Sequence, residues 1–287
     1  MPAPIHSPAP LLLVDGLNLL WAATFGFPAA IRSRDGVREL TGLFAFFALL
    51  RAIVRDDLDT TAPEVLVIFD GPDASTARGA ADPRYKADRP TTREALRPLE
   101  YLPAIKDGLD ACGIAWAETV DAEADDLIAT LTSAHRASRP VRIMSRDADL
   151  YQLLTDEVGI VNRSRRAGSR LVTAADVEQR YGVTPAQWTG FRALSGDPSD
   201  GIPGVRGIGP KTAARLLAGG IALADLPASG RLTGATGRRA LAAWGEVLRW
   251  QALIELRHDL VPGPAPSGRP SLGLPPARTI VETLGLW

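Results

Sequence analysis

A parallel α/β sheet flanked by helices, followed by a smaller all-helical domain, is the architecture this sequence predicts. Three observations carry it. Short apolar runs end at or just before aspartates, helical patterns separate those runs, and from about residue 174 strand-like runs give way to short helices punctuated by Gly and Pro. Strands that alternate with helices pair in parallel, because each crossover needs about the length of a helix.

The elements follow in order. LLLV (11–14) is a buried-strand pattern ending at Asp15, and residues 37–54 carry a helical pattern with one apolar side. VLVIF (65–69) is a second buried strand, ending at Asp70. Residues 71–100 are rich in Arg, Asp and Pro and begin irregularly, and a helix follows to about 112. VRIM (141–144) is a third strand, just before Asp147 and Asp149, and residues 158–162 form a fourth. These limits define an α/β domain over 9–174, a helical domain over 175–262 and a Pro/Gly-rich tail over 263–287. The stretch 262–277 is expected to be loosely held.

Composition narrows the chemistry. The single cysteine, Cys112, excludes an internal disulfide and a thiolate zinc site. Three scattered histidines (His6, His135, His258) disfavour a His-based metal site or a Ser–His pair, so carboxylates must carry any catalysis. No run of 18 apolar residues exists, the best candidate being 43–50, and MPAPIHSPAP lacks the basic start and long apolar core of a signal peptide. A cytoplasmic protein without membrane contact is expected. The formal net charge of −1 does not point to nucleic acid by itself, yet an average can hide a basic surface beside an acidic pocket.

The acids converge. Ligands of an open parallel sheet bind outside the carboxyl ends of its strands, where Asp15, Asp70, Asp147 and Asp149 fall. Any one of them alone is an ordinary turn residue; three strands in succession are less easily explained so. DAEADDLIA (121–129) adds four more carboxylates before a helix whose buried face is Ala124, Leu127, Ile128 and Leu131. Glu123 and Asp125 would lie about 200° apart on a regular helix and could not share an ion. With Glu123 at the cap position instead, it can turn toward the same site. The alternative is an acidic helix start favoured by the helix dipole, which explains one or two acids better than four. Two carboxylates about 4 Å apart repel by roughly 4 kcal/mol at an effective dielectric near 20, so such a cluster needs cations or shifted pKa values. Oxygen donors alone favour Mg²⁺ or Mn²⁺.

The second domain carries SGDPSDGIPGVRGIGPKTA (195–213). Gly204, Gly207 and Gly209 form a hairpin between short helices, with Pro210 at a first helical position and Lys211 and Thr212 beside it. Glycines let backbone N–H groups approach a phosphate at a helix N-terminus. A dinucleotide-binding turn is excluded because no strand precedes it. Upstream, Asp197 and Asp200 are either turn residues or two further acids for the metal site.

Six segments then resemble a known family in its own order: LLLVDG (11–16), VIFDG (67–71), RYKADRP (84–90), EADDLIA (123–129), SRDADLYQLL (145–154) and SGDPSDGIPGVRGIGPKTA (195–213). They are similar to the 5′ nuclease family, the bacterial and phage flap endonucleases and the N-terminal 5′–3′ exonuclease of DNA polymerase I, with weaker similarity to about 260. The resemblance implies a PIN-like sheet, a helix-hairpin-helix that grips DNA phosphates, and a two-metal nuclease. By that likeness Asp15, Asp70, Glu123, Asp125, Asp126, Asp147, Asp149, Asp197 and Asp200 hold two or more ions, with Asp125 between them. Lys86 lies near the scissile phosphate, and Arg78, Tyr85 and Arg89 belong to an arch within 71–100 that passes a single-stranded 5′ flap. Gly204, Gly207, Gly209, Lys211 and Thr212 contact DNA, and carbonyls near Val205 and Ile208 are candidate potassium ligands.

The lysines support this reading. Of 32 basic residues only Lys86, Lys106 and Lys211 are lysines, and two stand at the family's functional lysine positions. One departure is plain: the family often has an aromatic–Arg pair where this chain has Trp21-Ala22, leaving Arg32, Arg34 or Arg38 to supply the charge. The expected protein is a stand-alone, monomeric nuclease acting on DNA with 5′ flaps, nicks or junctions in replication and repair. Its rivals are a junction-binding protein with lost catalysis and a ribonuclease sharing the acidic domain. An Asp-nucleophile phosphatase is disfavoured, because Asp15-Gly-Leu lacks the second aspartate.

Overall fold

The computed structural model describes residues 7–58, 60 and 62–287; His6 lies outside them. The sheet has six strands: β1 Leu11–Asp15, β2 Glu64–Phe69, β3 Ala115–Glu118, β4 Val141–Met144, β5 Val158–Val161 and β6 Leu171–Val172. Their spatial order is β3-β2-β1-β4-β5-β6. The first five are parallel, as expected, and β6 adds an antiparallel edge strand on β5. Neither β3 nor β6 stands out in the sequence. AWAE buries only Ala117 fully, and β6 is two residues long, so neither forms an apolar run.

In the α/β part the helices are α1 Gly16–Gly26, α2 Thr41–Asp56, α3 Thr76–Ala81, α4 Arg93–Leu96, α5 Leu102–Ala111 and α6 Ala124–His135. Beyond β6 come α7 Ala174–Tyr181, α8 Trp188–Ser195, α9 Pro210–Leu217, α10 Gly234–Ala242, α11 Trp244–Ile254 and α12 Ala277–Thr283. The two-residue period of the strands divides the core. Leu11, Leu13, Leu66 and Ile68 face α6 and a cluster continuous with Trp188, Phe191 and Trp250 of the later helices. Leu12, Val14, Val65, Val67 and Phe69 face Phe46 and Phe47 of α2 and Ile105 of α5.

The tail is not loosely held. Glu64 at the start of β2 accepts hydrogen bonds from the backbone N–H groups of Ser267 and Gly268 and from the Ser267 hydroxyl. Ser271 donates to the Pro63 carbonyl and accepts from the Val65 N–H. Helix α12 then buries Ala277, Ile280 and Val281 in the α2/α5 face. Its three apolar positions at helical spacing are few, and the Pro/Gly composition before them masks the docking. Among the described residues no helix is long and apolar enough to cross a membrane.

Candidate active site

Strand β1 is central, with β2 on one side and β4 on the other, so the chain's crossovers diverge at its carboxyl end and leave a crevice there. A cavity of about 590 Å³ opens at this point, lined among others by Asp15, Asp70, Lys86, Glu123, Asp125 and Asp147. Asp15 ends β1 and caps α1, accepting from Asn18 N–H at 3.0 Å and from the Ser145 hydroxyl at 2.8 Å. Burial pushes its carboxyl up to about 7, with Asp70 and Asp147 adding to the shift against those two hydrogen bonds. Asp70 follows β2 and accepts from the Ala124 N–H, the first of α6, at 2.5 Å. Its pKa is also raised, by burial and then by Glu123.

The remaining acids form two groups that meet at Asp147. Asp125 is pushed well above the carboxylate range by burial and by Asp147, Asp15 and Asp70. Asp149 is pushed up likewise by burial and by Asp147, Asp200 and Asp197. Asp149, Asp197 and Asp200 each bring an oxygen within 4.8 Å of the others, and all three are buried. The short turn 145–149 supports this arrangement: Ser145 Oγ accepts from Asp147 N–H, and Asp147 accepts from Asp149 N–H at 2.9 Å. Asp197 is held by Arg192, whose Nε lies at 3.0 Å, and by Ser199.

Glu123 stands apart from these in its partners. Ser75 Oγ and Lys86 Nζ donate to one oxygen at 2.7 and 2.5 Å, and Arg78 and Tyr85 OH donate to the other, each at 2.8 Å. Burial works to raise its pKa and is outweighed by Lys86, Arg78 and Ser75, which leave it lowered. Lys86 is raised: burial opposes the charge, and Glu123 and Asp200 more than offset it. Its backbone has φ 54°, the only left-handed non-glycine conformation among the described residues, and its N–H donates to the Asp200 carbonyl.

Three of the expected site residues have protein partners in this structure. Asp126 does not face the cavity with the other acids; it is 1% exposed, accepts two hydrogen bonds from Arg78 and one from Arg257 N–H, and returns to the Glu123 N–H as a helix cap. Arg78 is consequently not a free DNA contact, since it also donates to the Leu253 and Glu255 carbonyls. Tyr85 is 8% exposed, with its hydroxyl on Glu123 and Lys86 Nζ 4.8 Å from its ring centroid, so its face is not offered to a base. Arg89 does remain half-exposed, reaching Asp200 at 3.4 Å.

The hairpin lies where the sequence indicates. Gly204 and Gly207 take φ of +66° and +89°, Gly209 precedes α9 with Pro210 in its first turn, and Lys211 is exposed. Val205 and Ile208 are buried, and the Val205 carbonyl accepts from the Ile208 N–H. Of the arginines expected to replace the one absent at position 22, Arg32 bonds the Gly36 carbonyl and Arg34 pairs with Glu282. Neither these nor Arg38 lines the cavity, whereas Arg146 does, beside Trp21. Ser75, Asn18, Ser145 and Arg192 escape sequence reasoning because single polar residues in turns carry no periodic signal.

Carboxylates gathered at a sheet's switch point, joined to a glycine hairpin between helices, define a nuclease-type architecture. Residues 10–182 match the model of the 5′-3′ exonuclease N-terminal resolvase-like domain, and residues 183–264 match the 5′-3′ exonuclease C-terminal SAM fold. The chain belongs to the 5′-3′ exonuclease family. It is 38% identical over 208 residues to thermostable DNA polymerase I of Thermus thermophilus, covering 72% of this chain and 24% of that protein. DNA polymerase I of Deinococcus radiodurans is 39% identical over 212 residues, covering 73% and 21%. The chain thus spans about a quarter of the length of these relatives. Its fold is similar to the phage T5 D15 protein co-crystallised with metal ions, with TM-score 0.67, 22% identity and coverage of 85% and 88%. It is also similar to human GEN1 in complex with Holliday junction DNA, with TM-score 0.62, 13% identity and coverage of 99% and 71%.

Proposed function

We propose that this chain is a structure-specific 5′ nuclease, a 5′–3′ exonuclease and flap endonuclease that hydrolyses DNA phosphodiesters at single-strand/duplex junctions. The observation that carries the reading is the convergence of Asp15, Asp70, Asp125 and Asp147 with the Asp149/Asp197/Asp200 cluster beside Lys86. The T5 protein's metal ions and the DNA bound to GEN1 supply the analogy for both ligands.

The donor set fits divalent cations. Asp149 Oδ1 is buried without a hydrogen-bond partner, and burial, with the neighbouring carboxylates adding to it, raises Asp15, Asp125 and Asp149, a strain that bound cations would relieve. Asp15, Asp70, Asp125 and Asp147 would hold one ion, and Asp149, Asp197 and Asp200 a second, with Glu123 beside the first, its charge offset by Lys86 and Arg78. Mg²⁺ or Mn²⁺ suits such all-oxygen sites. Bound ions supply Lewis-acid polarisation of a phosphate and activation of water at neutral pH.

The protein's own groups do the rest. Lys86, locked by Glu123, presents a fixed positive charge to the phosphate where negative charge grows. Arg89 and the 71–100 segment, as an arch, guide the single strand into the cavity. Gly204, Gly207, Gly209, Lys211 and Thr212 hold the duplex by its phosphates, which fixes register without reading sequence. The Val205 carbonyl keeps one lone pair, and with Ile208 it offers a backbone site for K⁺. We place the protein in the cytoplasm, as a monomer, in primer or flap removal and repair.

One observation favours a second reading, a junction-binding protein with weak catalysis: Ala22 stands where the family often has arginine. Cleavage of a labelled 5′-flap DNA with Mg²⁺ separates the two. Release of the flap at the junction supports the nuclease, and tight junction binding with no product refutes it.

A further inference from the structure

A second cavity, of about 490 Å³, adjoins the acidic one and shares Trp21, Phe25 and Arg146 with it as a common rim. It extends between α1 and the end of β5, on the side away from the arch residues Arg89, Pro90 and Thr91 that wall the acidic cavity. Its accessible apolar floor is Trp21, Ala22, Phe25 and Leu49, backed by the buried Leu19 and Met144, and its wall carries Arg146, Arg163 and Arg170.

The charge balance of that wall is uneven. Arg163 and Arg170 both donate to Asp57, each at 2.7 Å, so one buried carboxylate serves two guanidiniums. Arg146 has no carboxylate within ion-pair distance among the described residues; its backbone N–H and Nε donate to Asn18 Oδ1 at 3.2 and 3.4 Å. Arg55 and Asp56 nearby pair with each other and leave the balance unchanged. Three guanidiniums against one carboxylate give a net positive wall, and burial together with Arg170 outweighs Asp57 in lowering the Arg163 pKa. Planar guanidiniums above an apolar floor match a phosphate attached to a flat base, and the volume lies in the roughly 300–1,000 Å³ range of small-ligand sites.

We infer that this groove binds a nucleotide of single-stranded DNA, its phosphate on Arg163 and Arg170 and its base on the apolar floor, as the strand runs on from the acidic cavity past Arg146. In a duplex the base faces are covered by stacking on their neighbours, so the groove selects single strands. The inference rests on the nuclease reading above.

Its test is equilibrium binding in EDTA, read by fluorescence anisotropy, of a labelled oligodeoxythymidylate and of a blunt duplex of equal length. Arg163→Gln removes one phosphate contact and leaves Arg170 on Asp57; Ser164→Glu, at an exposed position on the rim, adds a negative charge. Each is expected to weaken the single strand about five- to tenfold and leave the duplex unchanged. Arg163→Gln should also flatten the salt dependence of log K by about 0.7. Where Arg163→Gln fails to fold, Ser164→Glu decides. Unchanged single-strand affinity in the folded variants, or equal loss for both DNAs, overturns the groove. Flap cleavage by the unmodified protein separates the two readings: cleavage with unaltered single-strand binding in the variants defeats the groove alone. An unmodified protein that neither cuts nor binds either DNA defeats the nuclease reading and the groove with it.

Discussion

The guanidinium of Arg78 grips both carboxylate oxygens of Asp126, at 2.6 and 2.9 Å, in a pair almost closed to solvent. The same arginine reaches Glu123 and the carbonyls of Leu253 and Glu255. It therefore ties α3 to the start of α6 and to the end of α11. Breaking a buried pair by removing one partner leaves a charge uncompensated, at about 3–5 kcal/mol. Arg78→Ala is expected to lower unfolding free energy by that order, measured by urea denaturation. Asp126→Asn should also destabilise the fold while leaving the number of Mn²⁺ ions bound, counted by calorimetry, as in the unmodified protein.

Legibility in the sequence differed between strands and side chains. Three strands and the central acids were legible because LLLV, VLVIF and VRIM are apolar runs each followed by aspartate, and the fourth, at 158–162, was legible by its apolar run alone. The tight docking of the tail was not, since it depends on Glu64 meeting Ser267 and Gly268 some 200 residues away. Within 121–129 the sequence marked an acidic stretch but not the partners of each acid. Asp126 caps α6 and is held by Arg78 and Arg257, partners that no local pattern announces.

Stability of the metal-free protein should fall with rising pH. Burial pushes the Asp15 carboxyl up to about 7 in the fold, against about 3.9 for a free aspartate. The folded state therefore holds a proton that the unfolded chain has lost across this window. Its contribution is full below about 4 and is lost as pH rises through about 7, up to roughly 4 kcal/mol. Asp15→Asn should flatten the profile, raising the metal-free melting temperature at pH 8 and not at pH 4. Mg²⁺ should stabilise the unmodified protein most at pH 8.

Lys86, proposed above to place its charge beside the phosphate, also holds an unfavourable backbone conformation at φ 54°. Lys86→Gly relieves the conformation, worth about 1–2 kcal/mol, and removes the charge. Single-turnover flap cleavage should drop about 10²- to 10³-fold. A drop confined to binding would contradict the assigned role.

Gly201 sets the approach of the second domain to the Lys86 turn. It has φ +71°, and a Cβ there would meet the Arg84 carbonyl oxygen at 2.2 Å. Gly201→Ala should displace residues 84–86, lowering both melting temperature and cleavage rate. Truncation after residue 262 removes the Glu64 clasp and α12 and uncovers the α2/α5 face, so the melting temperature should fall markedly while the acidic cluster stays complete.

The most direct measurement compares the unmodified chain with Asp149→Asn on one labelled 5′-flap DNA in Mg²⁺, following flap release and DNA affinity together. The unmodified chain is expected to cut at the junction, and the variant to bind the same DNA while cutting about a thousandfold more slowly, the loss of several kcal/mol of transition-state stabilisation. Equal cutting by both would contradict a carboxylate-held metal centre at this site.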